Sequence, residues 1–292
     1  MPVRSLTTLL AGIVDYAGLF PPASLDMAEA VRNYATYLQG PDAWALGRFI
    51  VPASRLEEFE REVPRTSSTP WKLSVLVGAD IRNDLTVLLE FNGRNHDKAV
   101  ADTVELKAAS VEEVATASAL VPETFQLFVE IPIQSDPQPL VHAIGKAGRC
   151  AKVRTGGVTA DAFPSSGDLA RFIRTCITEQ VPFKATAGLH HPIRSIYNLT
   201  YKPESERGMM YGHLNVFLAA AFAAQGMNDT ELKALLEEES RDAFRFDNEG
   251  ATWRSRRLNI EEIERMRRSV GLSFGSCSFR EPVEELRMMK LL

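Results

Sequence analysis

Short apolar runs alternate along the chain with longer segments in which apolar residues recur at helical spacing. Eight of these runs are candidate strands, at residues 9–19, 48–52, 72–78, 102–108, 125–131, 150–155, 183–187 and 272–276. Strands that alternate with helices are typical of βαβ units in a parallel sheet. Eight of them favour a closed (β/α)8 TIM barrel of the α/β class over an open doubly wound sheet.

The helical segments support this interpretation and leave one region over. The clearest helix carries Leu169, Phe172 and Cys176 on one face, and Ser110 begins a segment with capping-box spacing. Residues 208–270 exceed what one βα unit needs, so we interpret them as a helical insertion between strands seven and eight, with a short hairpin near 243–254. The chain, 1–292, is then a single barrel domain; a small separate lobe is the alternative.

Composition narrows the class of protein. The chain is 45% hydrophobic and carries a net charge of −5, with basic residues interleaved among acidic ones, so nucleic acid is not an expected partner. Three scattered cysteines indicate neither a disulfide framework nor a zinc site. No signal peptide is recognised, and the most apolar stretch, 214–224, is too short for a membrane span, so we expect a soluble cytoplasmic protein. That stretch serves a core or a homo-oligomer interface equally well.

Two lysines in neighbouring predicted strands carry the functional hypothesis. Lys152 lies in AKVRTGG and Lys184 in FKATAG, and each is followed four residues later by glycine. The two side chains should therefore lie at similar heights on adjacent strands, with Arg154 on the same face as Lys152. Repulsion and burial would both lower the pKa of each lysine. A neutral amine in a dry pocket is the group that forms a Schiff base with a carbonyl substrate.

Carboxylates in the other strands are candidates to balance these cations. Glu105 and Glu130 are expected to move protons, and the alternative is that both bind a magnesium ion. Lys107 shares a face with Glu105, and Asp15 ends the first predicted strand, so both are candidate substrate-binding residues. A carboxylate buried at a strand end needs a cation, which makes an ion pair between Glu130 and Arg154 equally acceptable.

The loops after the last predicted strands are candidate anion-binding sites. Candidate substrate-binding residues there are Gly156, Gly157, Gly188, His190, Gly275 and Ser276. The segment FGSCS runs into a helix start, where free N–H groups and the helix dipole favour a phosphate or carboxylate. His190 and His191 should point different ways, so that one of them faces the pocket; without a third well-spaced histidine, no zinc site is expected. Cys277 has no basic partner near it in sequence.

The order of AKVRTGG, FKATAGLHH and FGSCS resembles the deoxyribose-phosphate aldolase group of class I aldolases. The resemblance covers three short motifs, about 40 residues in all. It implies that Lys152 forms the Schiff base, that Lys184 perturbs it and that FGSCS helps to hold phosphate; Glu105 matches the acid of strand four only loosely. FVEIP followed by AKVRTGG is also similar to metal-dependent citrate-lyase-like and pyruvate-aldolase barrels, in which an arginine, here Arg154, binds the substrate carboxylate. An uncharacterised barrel family is the remaining alternative.

Three hypotheses follow. The first is a carbon–carbon lyase of the aldolase type, without a cofactor, that acts on a small anionic carbonyl compound through a Schiff base on Lys152. The second is a magnesium-dependent lyase or isomerase in which Glu105 and Glu130 bind the metal and the cations stabilise an enolate. The third is a barrel without catalytic activity that binds an anion or a partner protein. In that case the lysines would be paired with carboxylates and the pocket would be filled.

Overall fold

The computed structural model describes residues 3–64 and 69–292. Eight parallel strands close into a barrel, as the sequence predicts, in the order β1-β13-β7-β6-β5-β4-β3-β2. These strands are β1 (Val14–Tyr16), β2 (Leu46–Pro52), β3 (Trp71–Leu76), β4 (Ala99–Lys107), β5 (Gln126–Glu130), β6 (Cys150–Arg154), β7 (Phe183–Thr186) and β13 (Gly271–Ser276). The protein is therefore a (β/α)8 TIM barrel.

Helices follow the barrel strands and cover their outer faces. The helices are α1 (Arg4–Leu10), α2 (Met27–Gln39), α3 (Leu56–Glu62), α4 (Ile81–Asn95), α5 (Val111–Leu120), α6 (Gln138–Lys146), α7 (Ser166–Thr178), α8 (His213–Ala224), α9 (Asp229–Leu236), α10 (Ile260–Ser269) and α11 (Arg280–Met288). In α7 the predicted stripe, Leu169, Phe172 and Cys176, is buried. Ser110 caps α5 by accepting from the amide of Glu113, although the Glu113 carboxylate binds the amide of Ala109, which leaves the capping box incomplete.

The predicted bounds of the first strand are wrong. Residues 9–19 were expected to form it, but α1 ends at Leu10 and only Val14–Tyr16 pair with the neighbouring strands. Leu6, Leu9 and Leu10 are buried on one side of α1. Their spacing is helical, and the apolar run that continues into the strand conceals the change of period at Gly12, whose φ is +58°.

The segment between β7 and β13 contains more sheet than a helical insertion. It begins with the hairpin β8 (Ser195–Asn198) and β9 (Arg207–Met210), and after α8 and α9 it forms an antiparallel sheet of β10 (Phe244–Phe246), β11 (Gly250–Trp253) and β12 (Arg256–Asn259). The hairpin predicted near 243–254 is part of this sheet. Residues 213–223 of α8 are all buried within the chain, so the apolar stretch belongs to its core.

No helix within 3–64 or 69–292 is long and apolar enough to cross a membrane.

Replacing Asn215 in α8 by alanine is expected to lower the free energy of unfolding by about 3 kcal/mol. The buried side chain donates to the carbonyls of Leu235 and Glu238, both at 2.8 Å, and accepts from the amide of Arg194 at 2.9 Å. The substitution leaves these backbone groups without their partners. Urea denaturation measures the change, and Asn198→Ala, at an exposed position of β8, should stay within about 0.5 kcal/mol of the wild type. Equal losses for both variants would contradict this role of Asn215.

Candidate active site

A cavity of about 810 Å3 opens at the carboxyl ends of the barrel strands. Active sites of TIM-barrel enzymes lie at this end. Ten of the residues predicted for the site line the cavity: Glu105, Lys107, Glu130, Lys152, Arg154, Gly156, Gly157, Gly188, His190 and Gly275. Asp15, Lys184 and Ser276, the other predicted residues, are buried outside its wall. The cavity is thus open, in contrast to the filled pocket expected of a barrel without catalytic activity.

The predicted register of the two lysines is confirmed. Lys152 on β6 is paired directly with Lys184 on β7, and Glu130 on β5 is paired with Lys152. Lys184 is fully buried, whereas Lys152 retains 4% of its surface and reaches the cavity. Of these two lysines, only Lys152 can therefore contact a molecule in the cavity.

Carboxylates separate the two ammonium groups. The Nζ of Lys184 lies 2.5 Å from Asp15 Oδ2 and 2.6 Å from Glu105 Oε1. The Nζ of Lys152 lies 2.9 Å from Glu105 Oε2 and 2.8 Å from Glu130 Oε2. Glu105 thus joins the lysines through its two oxygens, and the cations and anions alternate across the barrel.

The expected lowering of the Lys152 pKa is wrong. Burial acts in that direction, but the carboxylates of Glu105 and Glu130 outweigh it and raise the pKa of Lys152 above its ordinary value. Burial likewise opposes ionisation of Glu105, and Lys152 and Lys184 outweigh it, so the pKa of this carboxyl is lowered. The pKa of Glu130 is lowered as well, because Lys152 and Arg154 outweigh its burial. At neutral pH these groups are therefore charged.

Every strand of the barrel contributes one group to this arrangement, which we call the barrel network. Ser273 donates to Asp15 at 2.8 Å, the Arg48 amide donates to Asp15 at 2.7 Å, and Ser74 donates to Glu105 at 2.5 Å. Its members, in chain order, are Asp15, the Arg48 amide, Ser74, Glu105, Glu130, Lys152, Lys184 and Ser273. The buried carboxylates of Asp15 and Glu105 are thus held by hydrogen bonds as well as by the lysines, as burial of charge requires.

Sequence reasoning missed the small members of the barrel network. Ser74 and Ser273 lie inside apolar strands, where a serine by itself does not distinguish packing from hydrogen bonding to a charge. Gly47 was missed as well: a Cβ there would lie 2.3 Å from Asp15 Oδ1, so only glycine leaves room for this carboxylate. The signal that was available is a glycine in a strand, which indicates the close approach of another group.

Two further cations stand at the outer end of the network. Arg154 Nε lies 3.3 Å from Glu130 Oε1, as the ion-pair interpretation predicts, and Lys107 Nζ lies 3.9 Å from the same oxygen. Both side chains are substantially exposed and line the cavity. They are therefore free to turn toward an anion that enters it.

The glycine loops are tightly packed against each other. Gly188 has a φ of +72°, and a Cβ there would lie 2.9 Å from Gly156 Cα. A Cβ on Gly156 would lie 2.4 Å from the Phe163 ring, and one on Gly157 would lie 2.6 Å from Ala162. Glycine at these positions is thus required by packing, whether or not the loops bind an anion.

The two histidines point different ways, as expected. His190 lines the cavity, with its Nδ1 3.1 Å from Glu281 Oε2 and its ring nitrogens 3.8 and 4.0 Å from Cys277 Sγ. His191 instead stacks on Tyr197 and places Nδ1 2.6 Å from Glu285. Cys277 therefore has the basic partner that the sequence does not reveal, because 87 residues separate it from His190.

The residues proposed as magnesium ligands do not fit a metal ion in this arrangement. The ammonium group of Lys152 lies between Glu105 and Glu130, where a shared metal ion would bind. Both oxygens of Glu105 already contact lysines. Among the residues that the structure describes, no group of three or more His, Cys, Asp or Glu side chains is arranged to hold a metal ion. A magnesium ion therefore does not fit between these two carboxylates.

The fold and the cavity define the class: a TIM barrel with a pocket-facing lysine in a buried network of alternating charges. In comparisons of the sequence with protein-family models and with curated proteins, nothing matches the chain.

Proposed function

We propose that the protein is a carbon–carbon lyase of the aldolase type that acts on a small anionic carbonyl compound through a Schiff base on Lys152. The observation that carries the proposal is the position of Lys152, whose Nζ lies between Glu105 and Glu130 at the floor of an open cavity. A positioned amine with adjacent proton acceptors has the parts that imine formation needs.

The resting ammonium group must first lose a proton. Glu130 is the acceptor, since it lines the cavity wall, its Oε2 lies 2.8 Å from Nζ and, unlike Glu105, it is not also bound to Lys184. The neutral amine then attacks the substrate carbonyl carbon, and one of its two protons passes to the carbonyl oxygen to give the carbinolamine. Glu130 returns the first proton to this hydroxyl group, which leaves as water. The resulting iminium group withdraws electrons from the bond to be cleaved.

Lys184 has a different role because it does not reach the cavity. Its ammonium group binds Asp15 and Glu105, and Glu105 in turn binds Lys152. Lys184 therefore acts on the Schiff-base lysine through Glu105, which it keeps ionised and in place. This division between a reacting lysine and a supporting lysine agrees with the resemblance to the deoxyribose-phosphate aldolase group.

Anionic substrates are favoured by the cations at the cavity wall. Arg154 and Lys107 both project beside Glu130, and their side chains are 47% and 77% exposed. Arginine binds carboxylates and phosphates in a bidentate manner, which would orient the carbonyl group toward Lys152.

Reductive trapping tests the proposal. The protein is incubated separately with pyruvate, acetaldehyde and glyceraldehyde 3-phosphate, each with sodium borohydride, and the labelled residue is located by peptide mass spectrometry. We expect a stable adduct on Lys152 with at least one of these compounds, because borohydride reduces an imine to a secondary amine.

Two variants serve as controls. Lys152→Arg keeps the positive charge between the carboxylates but cannot form an imine, so the adduct at this position should disappear. Lys146→Met removes an exposed lysine at the end of α6, away from the cavity wall, and should leave the adduct in place. Absence of label on Lys152 with all three compounds would remove the proposal.

One observation favours a second function, the binding of an anion or a partner without catalysis. Both buried lysines are paired with carboxylates, as that function predicts. The open cavity argues for the lyase, and the trapping experiment separates the two because a binding protein gives no reduced adduct.

A further inference from the structure

A second cluster of reactive side chains lies in the wall of the same cavity. Cys277 directly follows β13, and His190 lies in the loop after β7. Glu281 lies in the first turn of α11 and Tyr201 in the β8–β9 hairpin. Closure of the barrel next to the inserted hairpin brings the four side chains together. None of them takes part in the chemistry proposed for Lys152.

The contacts within the cluster have the order thiol, imidazole, carboxylate. Cys277 Sγ lies 3.8 Å from His190 Nδ1 and 4.0 Å from Nε2, and Glu281 Oε2 lies 3.1 Å from Nδ1. The Tyr201 hydroxyl donates to Glu281 at 3.0 Å and lies 3.5 Å from Sγ. The carboxylate thus orients the imidazole ring, and the phenol fixes the carboxylate.

The contacts of His190 within the cluster determine its charge. Burial would lower the pKa of His190, but its contacts with Cys277 and Glu281 outweigh burial and raise this pKa to about 10. His190 is then an imidazolium at neutral pH. A cation beside a cysteine stabilises the thiolate, which is the species that attacks carbon.

Its position in the cavity wall distinguishes Cys277 from the other two cysteines. Cys277 lines the main cavity, and His190 lines both this cavity and a second one of about 480 Å3 under the hairpin. Cys150 and Cys176 do not line the main cavity, and burial raises the pKa of Cys150 to about 11 and that of Cys176 as well. Cys150 and Cys176 therefore serve as reference thiols within the same molecule.

We propose that Cys277 and His190 form a second covalent site, which binds the carbonyl carbon of small aldehydes. A sulfur–carbon bond forms as the carbonyl π bond breaks, its electron pair moves to oxygen, and the His190 imidazolium supplies the proton that this oxygen takes. The product is a hemithioacetal, and its formation needs no oxidant or reductant. The reverse step restores both residues. The site does not depend on Lys152.

Alkylation by iodoacetamide at pH 6.5 measures the reactivity of each cysteine. We expect carbamidomethylation of Cys277 to be at least about tenfold faster than that of Cys150 or Cys176 in the same sample. His190→Gln should slow Cys277 about tenfold. His191→Gln alters the neighbouring histidine, which contacts Glu285 and Tyr197 instead, and should leave the rate unchanged.

Competition with propanal then tests binding of the aldehyde. It is measured in the Lys152→Arg variant, in which imine formation cannot block the cavity, and free glutathione in the same solution reports the background reaction of thiols. Propanal should slow alkylation of Cys277 at least about fivefold at a concentration that leaves glutathione unaffected, and its removal by dialysis should restore the rate. Equal rates for the three cysteines, no effect of His190→Gln, or no protection by propanal beyond that of glutathione would each overturn the proposal. None of these results bears on the adduct at Lys152, so the two proposals fail separately.

Discussion

The Lys184→Met variant is expected to unfold with a free energy about 3–5 kcal/mol below that of the wild type. Lys184 is fully buried and its ammonium group holds two buried carboxylates, those of Asp15 and Glu105. Removal of the cation leaves both anions in a medium of low dielectric constant with less compensation. Urea denaturation followed by circular dichroism measures the loss.

Two further variants show whether charge is the cause. Lys107→Met removes an exposed lysine 3.9 Å from Glu130 and should cost less than about 1 kcal/mol. Asp15→Asn in the Lys184→Met background removes one of the uncompensated anions and should recover part of the stability. Asp15→Asn is also measured alone, and a double variant whose loss equals the sum of the losses of Asp15→Asn and Lys184→Met would contradict the coupling.

Labelling of Lys152 by an aldehyde and borohydride is expected to accelerate about tenfold for each pH unit between pH 7 and 9. Glu105 and Glu130 raise the pKa of Lys152 above its ordinary value of about 10.4. Only the neutral amine attacks a carbonyl, and below the pKa its fraction falls tenfold with each unit. The initial rate of label incorporation, measured from pH 7 upward until it stops rising, gives this profile.

The Glu130→Gln variant distinguishes an effect of Glu130 on the pKa of Lys152 from an effect on the maximum labelling rate. The substitution removes one of the two carboxylates that raise the pKa of Lys152, so the midpoint of the profile should move to lower pH. Any part that Glu130 takes in proton transfer would appear instead as a lower maximum rate. A wild-type rate that does not change between pH 7 and 9 would mean that Lys152 is already neutral.

The spacing of apolar residues was enough to predict the barrel and the relative position of the two lysines. Strand parity placed Lys152 and Lys184 side by side, and the register of β6 and β7 agrees. The count of eight strands gave the barrel, although the extension of one apolar run across α1 and β1 hid a helix. The hairpin near 243–254 was predicted, but the third strand of its sheet, Arg256–Asn259, was not, because three of its four residues are exposed and it lacks a clear apolar alternation.

The electrostatics of the candidate site were harder to predict than its residues. The sequence indicated Glu105, Glu130, Lys152 and Lys184 but not how they are ordered in space. With the lysines adjacent on neighbouring strands, repulsion seemed to dominate; in the structure Glu105 extends from across the barrel and binds both. The sign of a pKa shift depends on such distances of a few ångströms, which residue spacing does not supply.

The barrel network has a consequence for how the chain reaches its native topology. Its groups come from all eight strands, and the two that are farthest apart in sequence, Asp15 and Ser273, meet only when β1 pairs with β13. A strand that slipped by one residue would turn its charged group outward and leave the others buried without a partner. Misregistered or unclosed barrels are therefore penalised by several kcal/mol per orphaned charge. The charges of the candidate site thus also favour the native strand register over misaligned alternatives.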